Sequence, residues 1–172
     1  MIEKTLALPH VQTYSKTLLP LIAFSVPFIF SGPQLITGTI VNCLLLLASF
    51  NYSKKITWPV LFLPSIGALL HGAVFGQYTP FLIFFIPAIW LGNLLLISSF
   101  AFFRKRYSPI FSLFAGSLLK ASLLYLLATV FFNFSLVPKI FIGTMGTLQF
   151  VTAIIGGTLA LGINKTWTKR NN

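Results

Sequence analysis

The feature that most constrains this chain is a succession of apolar runs, each close to the length of a bilayer crossing and each ended by a basic cluster or a turn signal. They fall at about 17–31, 34–50, 57–76, 80–103, 108–133 and 141–163. A crossing helix needs about 20 apolar residues, with a range of roughly 17–25. In hydrocarbon every backbone N–H and C=O must be paired within the protein, so runs of this length without period-two alternation fold as helices. The pattern predicts an all-α membrane protein: a six-transmembrane-helix bundle, with residues 1–172 forming a single transmembrane domain.

Composition points the same way. Hydrophobic residues make up 56% of the chain and charged residues 8%, against about 25% charged in soluble domains. Glu3 is the only acidic side chain. Metal-dependent phosphotransfer, carboxylate-based hydrolysis and acid-based proton relays therefore lack their usual groups. The single cysteine, Cys43, excludes an internal disulfide and a cysteine-built metal or iron–sulfur site. No Ser–His pair sits in a recognisable catalytic motif. The expectation is a protein that is not an enzyme and carries neither metal nor cofactor.

The net charge of +11 could suit nucleic acid, but the cations are clustered between apolar runs, where they act as topology signals and as contacts for anionic lipid. With both termini inside, Lys4, Lys16, Lys54, Lys55, Arg104, Lys105, Arg106, Lys165, Lys169 and Arg170 are cytoplasmic. The loops at 32–34, 77–79 and 134–140 then carry Lys139 alone. The positive-inside rule selects this N-in, C-in orientation. The start, MIEKTLALPH, lacks the charged, apolar and small-residue regions of a secretory signal and reads as a mature end. A faint hairpin repeat pairs NCLLLLASF (42–50), before Lys54-Lys55, with NLLLISSF (93–100), before Arg104-Lys105-Arg106.

Polar side chains within the runs need partners, because an unpaired one is costly in a bilayer. Asn42, His71, Asn93, Lys120 and Gln149 stand out. Helical stripes of small residues carry four of them: Gln34, Gly38 and Asn42; Pro64, Gly67, Ala68, His71 and Gly72; Ser112, Gly116 and Lys120; Gly146, Gln149, Ala153 and Gly157. Small residues mark helix–helix contact, so all five polar groups are expected inside the bundle. Asn42, Asn93, His71 and Gln149 each suit either a plain interhelical hydrogen bond or a ligand contact. Lys120 is sharper: it lies too deep in the fifth run for its head to reach water, and the chain offers it no acid. It is either neutral, capped by groups such as Ser117 and Tyr125, or matched to an anion from outside the chain. Pro27, Pro64 and Pro87 are expected to kink their helices and free carbonyls, and such freed backbone is tolerated where it lines a cavity.

The blocks GPQLITGTIVN (32–42), PSIGALLHG (64–72), IPAIWLGNLLL (86–96), LLKASLLY (118–125) and MGTLQFVTAIIGG (145–157) resemble a family of small six-helix bacterial membrane proteins. That family is classed with the substrate-binding S components of energy-coupling factor (ECF) transporters. A label that links some of its members to iron hydrogenase does not suit a chain with one cysteine. The resemblance implies a plasma-membrane protein that binds a vitamin-like ligand from outside. It also implies docking on a transmembrane coupling protein driven by a pair of ATPase subunits. The ligand would then meet Lys120 and Gln149, with Asn42, Asn93 and His71 orienting it and Trp90 or Tyr125 stacking on it. One departure concerns docking: several S components carry alanines four apart on the first helix, and here Ala23 is followed by Pro27. The alternative from the residues alone is an oligomeric passive channel or facilitator.

The orientation has a direct check. A reporter that fluoresces only in the cytoplasm is expected to be bright when fused after Asn172 and dark when inserted in the 134–140 loop; the opposite pattern would reverse the assignment.

Overall fold

The computed structural model describes residues 9–30, 33–72 and 76–171, with side chains over 18–30, 33–72 and 76–166. Glu3, Lys4, the turn at Ser31-Gly32 and the side chains of Lys16, Lys169 and Arg170 lie outside the described residues. Within them the chain is helical and contains no strand. The order is α1 (Pro9–Ile29), α2 (Gln34–Asn51), α3 (Lys54–His71), a 3-10 turn (Gly76–Phe81), α4 (Leu82–Phe103), α5 (Pro109–Asn133), α6 (Ile140–Met145) and α7 (Thr147–Asn171).

Local chemistry sets most of these ends. Ser108 opens α5: its Oγ accepts from Phe111 N at 3.2 Å, and Pro109 takes the first helical position, where its missing N–H is no loss. The same helix closes with Ser135 in the left-handed region (φ 56°), Leu136 N donating to Phe131 O and Ser135 N to Phe132 O. That pair of bonds is a Schellman cap. Gly72, at φ 78°, stops α3 after His71, so the helix ends short of the expected 76, and Gly72 does not continue its face. The prolines at 27, 64 and 87 all lie inside continuous helices. The actual interruption is at Gly146, where ψ is −93°, so the run expected at 141–163 is two helices.

Four stretches are long and apolar enough to cross a membrane: Gln34–Asn51, Gly76–Phe103, Pro109–Asn133 and Ile140–Thr166. The apolar part of α1 is shorter, Leu18–Ile29. In α3 the paired lysines at its start, two prolines and His71 dilute the apolar character.

The helices pack chiefly in pairs, α1 on α3, α2 on α7 and α4 on α5, with α5 also against α6 and α7. Small residues make these approaches possible. A Cβ on Gly67 would lie 2.5 Å from Phe24 O in α1, and one on Gly116 3.1 Å from Leu96 O in α4. One on Gly156 would run into Thr39 O and lie 2.9 Å from Cys43 N in α2. Polarity is inverted relative to a soluble bundle: Ile110 is 77% exposed and Leu126 61%, while Asn42, Asn93 and Lys120 are buried. Such an exterior suits lipid rather than water.

Gly156→Ala is therefore expected to force α2 and α7 apart and cost about 2–3 kcal/mol, read as a lowered melting temperature in detergent. Gly143→Ala, whose Cβ would meet nothing within 4 Å, should leave the melt unchanged.

Candidate functional site

Lys120 sits midway along α5, 2% exposed. Its Nζ donates to Asn42 Oδ1 of α2 at 2.7 Å and to Asn93 Oδ1 of α4 at 2.8 Å. The amide orientations are fixed by what lies behind them. Asn42 Nδ2 donates to Gly38 O at 2.8 Å and Thr152 Oγ1 at 3.2 Å, and Asn93 Nδ2 donates to Leu61 O at 3.2 Å. Turning either amide over would set NH2 against Nζ and oxygen against a carbonyl, donor facing donor and acceptor facing acceptor. Thr152 in turn donates to Gln149 O at 3.2 Å. A hydrogen-bonded layer thus ties α2, α4, α5 and α7 together at mid-bundle. The two asparagines are the equivalent residues of NCLLLLASF and NLLLISSF, and they hold the same ammonium from two helices.

This layer floors a cavity of about 80 Å³. Its walls include Gln34 and Thr37 near the start of α2, Ala68 near the end of α3, Leu82 at the start of α4, and Met145 and Gln149 on either side of the Gly146 break. These positions place the mouth at the end of the bundle where α1 and α3 finish and α2 and α4 begin. Pro27 and Pro64 line it; Pro87 is exposed and does not. Each proline lacks the N–H that would bond the carbonyl four residues back, so α1 and α3 are locally loosened where they border the cavity.

The seven residues singled out from the sequence separate into two sets. Lys120, Asn42, Asn93 and Gln149 come together at the cavity. His71, Trp90 and Tyr125 do not line it. His71 Nδ1 lies 2.5 Å from Phe28 O, a carbonyl in the last turn of α1, where the helix itself runs out of donors. Because a carbonyl only accepts, that ring nitrogen carries the proton, and the histidine ties the ends of α1 and α3 together. Trp90 Nε1 donates to Ser65 Oγ at 2.8 Å and Phe62 O at 3.3 Å, with its ring edge-on to Phe62. The expectation that it stacks on a ligand gives way to this anchoring of α4 on α3. Tyr125 is 47% exposed on the outer side of α5, in a separate shallow groove with Leu118, Ser122 and Phe150, against Gly146. It neither caps Lys120 nor faces the cavity. Ser117, the other expected cap, is buried with its Oγ unpaired, and the two asparagines do that work instead.

Two threonines join the site beyond the seven residues expected there. Thr152 links Asn42 to α7. Thr37 lines the cavity, is 5% exposed, and its Oγ1 has no hydrogen-bond partner. The only available signal was position, since Thr152 follows Gln149 by three residues and Thr37 follows Gln34 by three. Among the described residues no group of His, Cys, Asp or Glu is placed to hold a metal ion.

No known protein family matches the chain, and no curated protein or solved structure matches it either.

The cluster is expected to behave as one energetic unit. Asn93→Leu leaves Nζ with one partner, and losing a buried hydrogen bond to the lysine head costs about 1.5–3 kcal/mol. In a Lys120→Met background the same change should cost less than about 1 kcal/mol, because the lysine head it served is gone. Detergent melts of the single and double variants give the coupling; additive losses would show that Lys120 and Asn93 act independently.

Proposed function

We propose that this chain is the membrane-embedded substrate-binding subunit of an ECF-type uptake transporter. It is a six-span bundle in the bacterial plasma membrane with both termini cytoplasmic, and it takes up a small, anionic, vitamin-like ligand from outside. The observation that carries the reading is Lys120: a buried lysine, its Nζ held by neutral amides alone, at the floor of a cavity open at one end of the bundle. A purely structural polar bridge would not need a lysine, and Asn42 with Asn93 could bridge α2 and α4 without one.

A chain with one acidic side chain and no phosphate-binding glycine loop has no motor of its own. Uptake against a gradient then requires a transmembrane coupling protein and a pair of ATPase subunits, in keeping with the resemblance of the residue blocks to S components. In the six-span arrangement the cavity mouth faces outward and the basic clusters that follow α2 and α4 face the cytoplasm. The helices that fall short on their own, α1 and α3, pack on each other and lie against α2, which is apolar enough to cross.

A passive channel accounts for less. Beyond the Asn42–Lys120–Asn93 layer the core is filled by Leu45, Leu96, Ala153 and, further on, Leu46 and Phe100. A solute path through one chain would have to pass this apolar plug.

Native mass spectrometry of the purified protein, with extraction of what it carries, tests the proposal. A small acidic metabolite should accompany the wild type, and Lys120→Met should retain it at least about 100-fold more weakly while melting at or above the wild-type temperature. Co-purification of a coupling protein and two ATPases supports the assembly. A tightly held cationic ligand, or ligand-independent solute flux in liposomes, would overturn it.

A further inference from the structure

The cavity at the Lys120 layer has a hydrogen-bonding inventory that is only partly used, and what remains is specific. An ammonium has three donors. Two are taken by Asn42 and Asn93, which leaves one over on a side chain that lines the cavity. Thr37, on the α2 wall, is nine-tenths buried with a hydroxyl that no protein group engages. Buried hydroxyls in native proteins almost always have a partner, so an orphan on a cavity wall calls for one. Gln34 near the mouth and Gln149 on the α7 wall add side-chain amides that no described residue engages.

The charge count is equally specific. Among the described residues Lys120 is the only charged side chain in the lining. His71 is turned to Phe28 O, and Lys139 is exposed on the approach to α6. The site therefore supplies one positive charge and several neutral donors, with no acid to oppose them.

From this we infer that the cavity is built for the carboxylate of a monoanionic ligand, with the ligand's remaining atoms at the mouth beside Pro27, Gln34 and Met145. This deepens, and rests on, the reading of the cavity as a substrate site. A carboxylate carries a single charge, accepts through both oxygens and donates nothing, so it matches one ammonium N–H and a hydroxyl. A phosphate monoester bears about −1.5 to −2 at neutral pH and would bring close to one uncompensated negative charge into a buried site. A cation would meet Lys120 head-on, and a purely apolar group would leave both Nζ and Thr37 Oγ1 unpaired. Size agrees: about 80 Å³ accommodates a head group, well below the roughly 300–1,000 Å³ of pockets that enclose whole drug-sized ligands.

The test uses the full-length chain alone in detergent, freed of bound ligand, titrated with sodium acetate, sodium phosphate or methylammonium chloride at matched ionic strength. Melting temperature and the 13C resonance of labelled acetate are followed. Acetate is expected to raise the melting temperature saturably, and phosphate and methylammonium are not. Lys120→Met should abolish the acetate effect. Thr37→Val, an isosteric change that removes an unpaired hydroxyl and so preserves the fold, should raise the half-saturating acetate concentration about tenfold. Thr37→Val thus carries the test even if the lysine variant folds poorly. Phosphate stabilising as strongly as acetate, an acetate response unaltered in Thr37→Val, or no saturable acetate response in the wild type would each overturn the inference. Because no partner protein is present, this result is separable from co-purification of the coupling protein and ATPases, which judges the transport reading.

Discussion

One ammonium group organises the middle of this molecule. A lysine head at mid-bundle has no acid to pair with, so its solvation must be rebuilt from neutral oxygens. Two come from asparagines on α2 and α4, and each asparagine needs its own amide nitrogen satisfied behind it. Asn42 therefore reaches back to Gly38 and across to Thr152, and Asn93 reaches to α3. The demand of a single charge thus propagates until four helices besides α5 have fixed positions around it. Apolar contacts above and below are individually replaceable; this polar layer admits one arrangement.

The small residues serve the same end. For Asn42 to reach Thr152, α2 must lie almost backbone to backbone with α7. Gly156 allows this by leaving room for Thr39 O and Cys43 N. Gly92 packs against the methylenes of Lys120 itself, with a Cβ there only 3.3 Å from Cγ. That gives the side chain a slot in which to extend toward Asn93, one residue further along α4. Close packing and polar satisfaction are one design here, since neither the distances nor the amide orientations survive if the helices move apart.

Much of this was legible in the sequence because a bilayer makes polar residues conspicuous. Asn42, Asn93, Lys120 and Gln149 could be picked out from their apolar surroundings, and small-residue stripes pointed inward. Partner identity was not legible. Ser117 and Tyr125 are near Lys120 in sequence and were natural candidates, yet they lie on other sides of α5, and the real partners come from helices far along the chain. His71 and Trp90 looked like ligand groups because side-chain type alone does not reveal a free carbonyl nearby; Phe28 O and Ser65 Oγ took them up. Thr152 stayed silent for a different reason. A threonine can satisfy itself on its own helix, so it carries no alarm in a membrane run. The helix breaks were legible only in part: the prolines lie inside the continuous helices α1, α3 and α4, whereas the interruption falls at Gly146, at the end of α6.

The order of the helices along the chain bears on how such a protein is made. Asn42 and Asn93 precede Lys120, so in N-to-C synthesis both acceptors are already placed when α5 leaves the insertion machinery. The lysine never has to wait in lipid for a partner still on the ribosome. Thr152 arrives last and completes the outer link through Asn42. A circular permutation that moved α5 ahead of α2 would keep every native contact and yet expose a naked charge during assembly, which makes chain order itself part of what this fold requires.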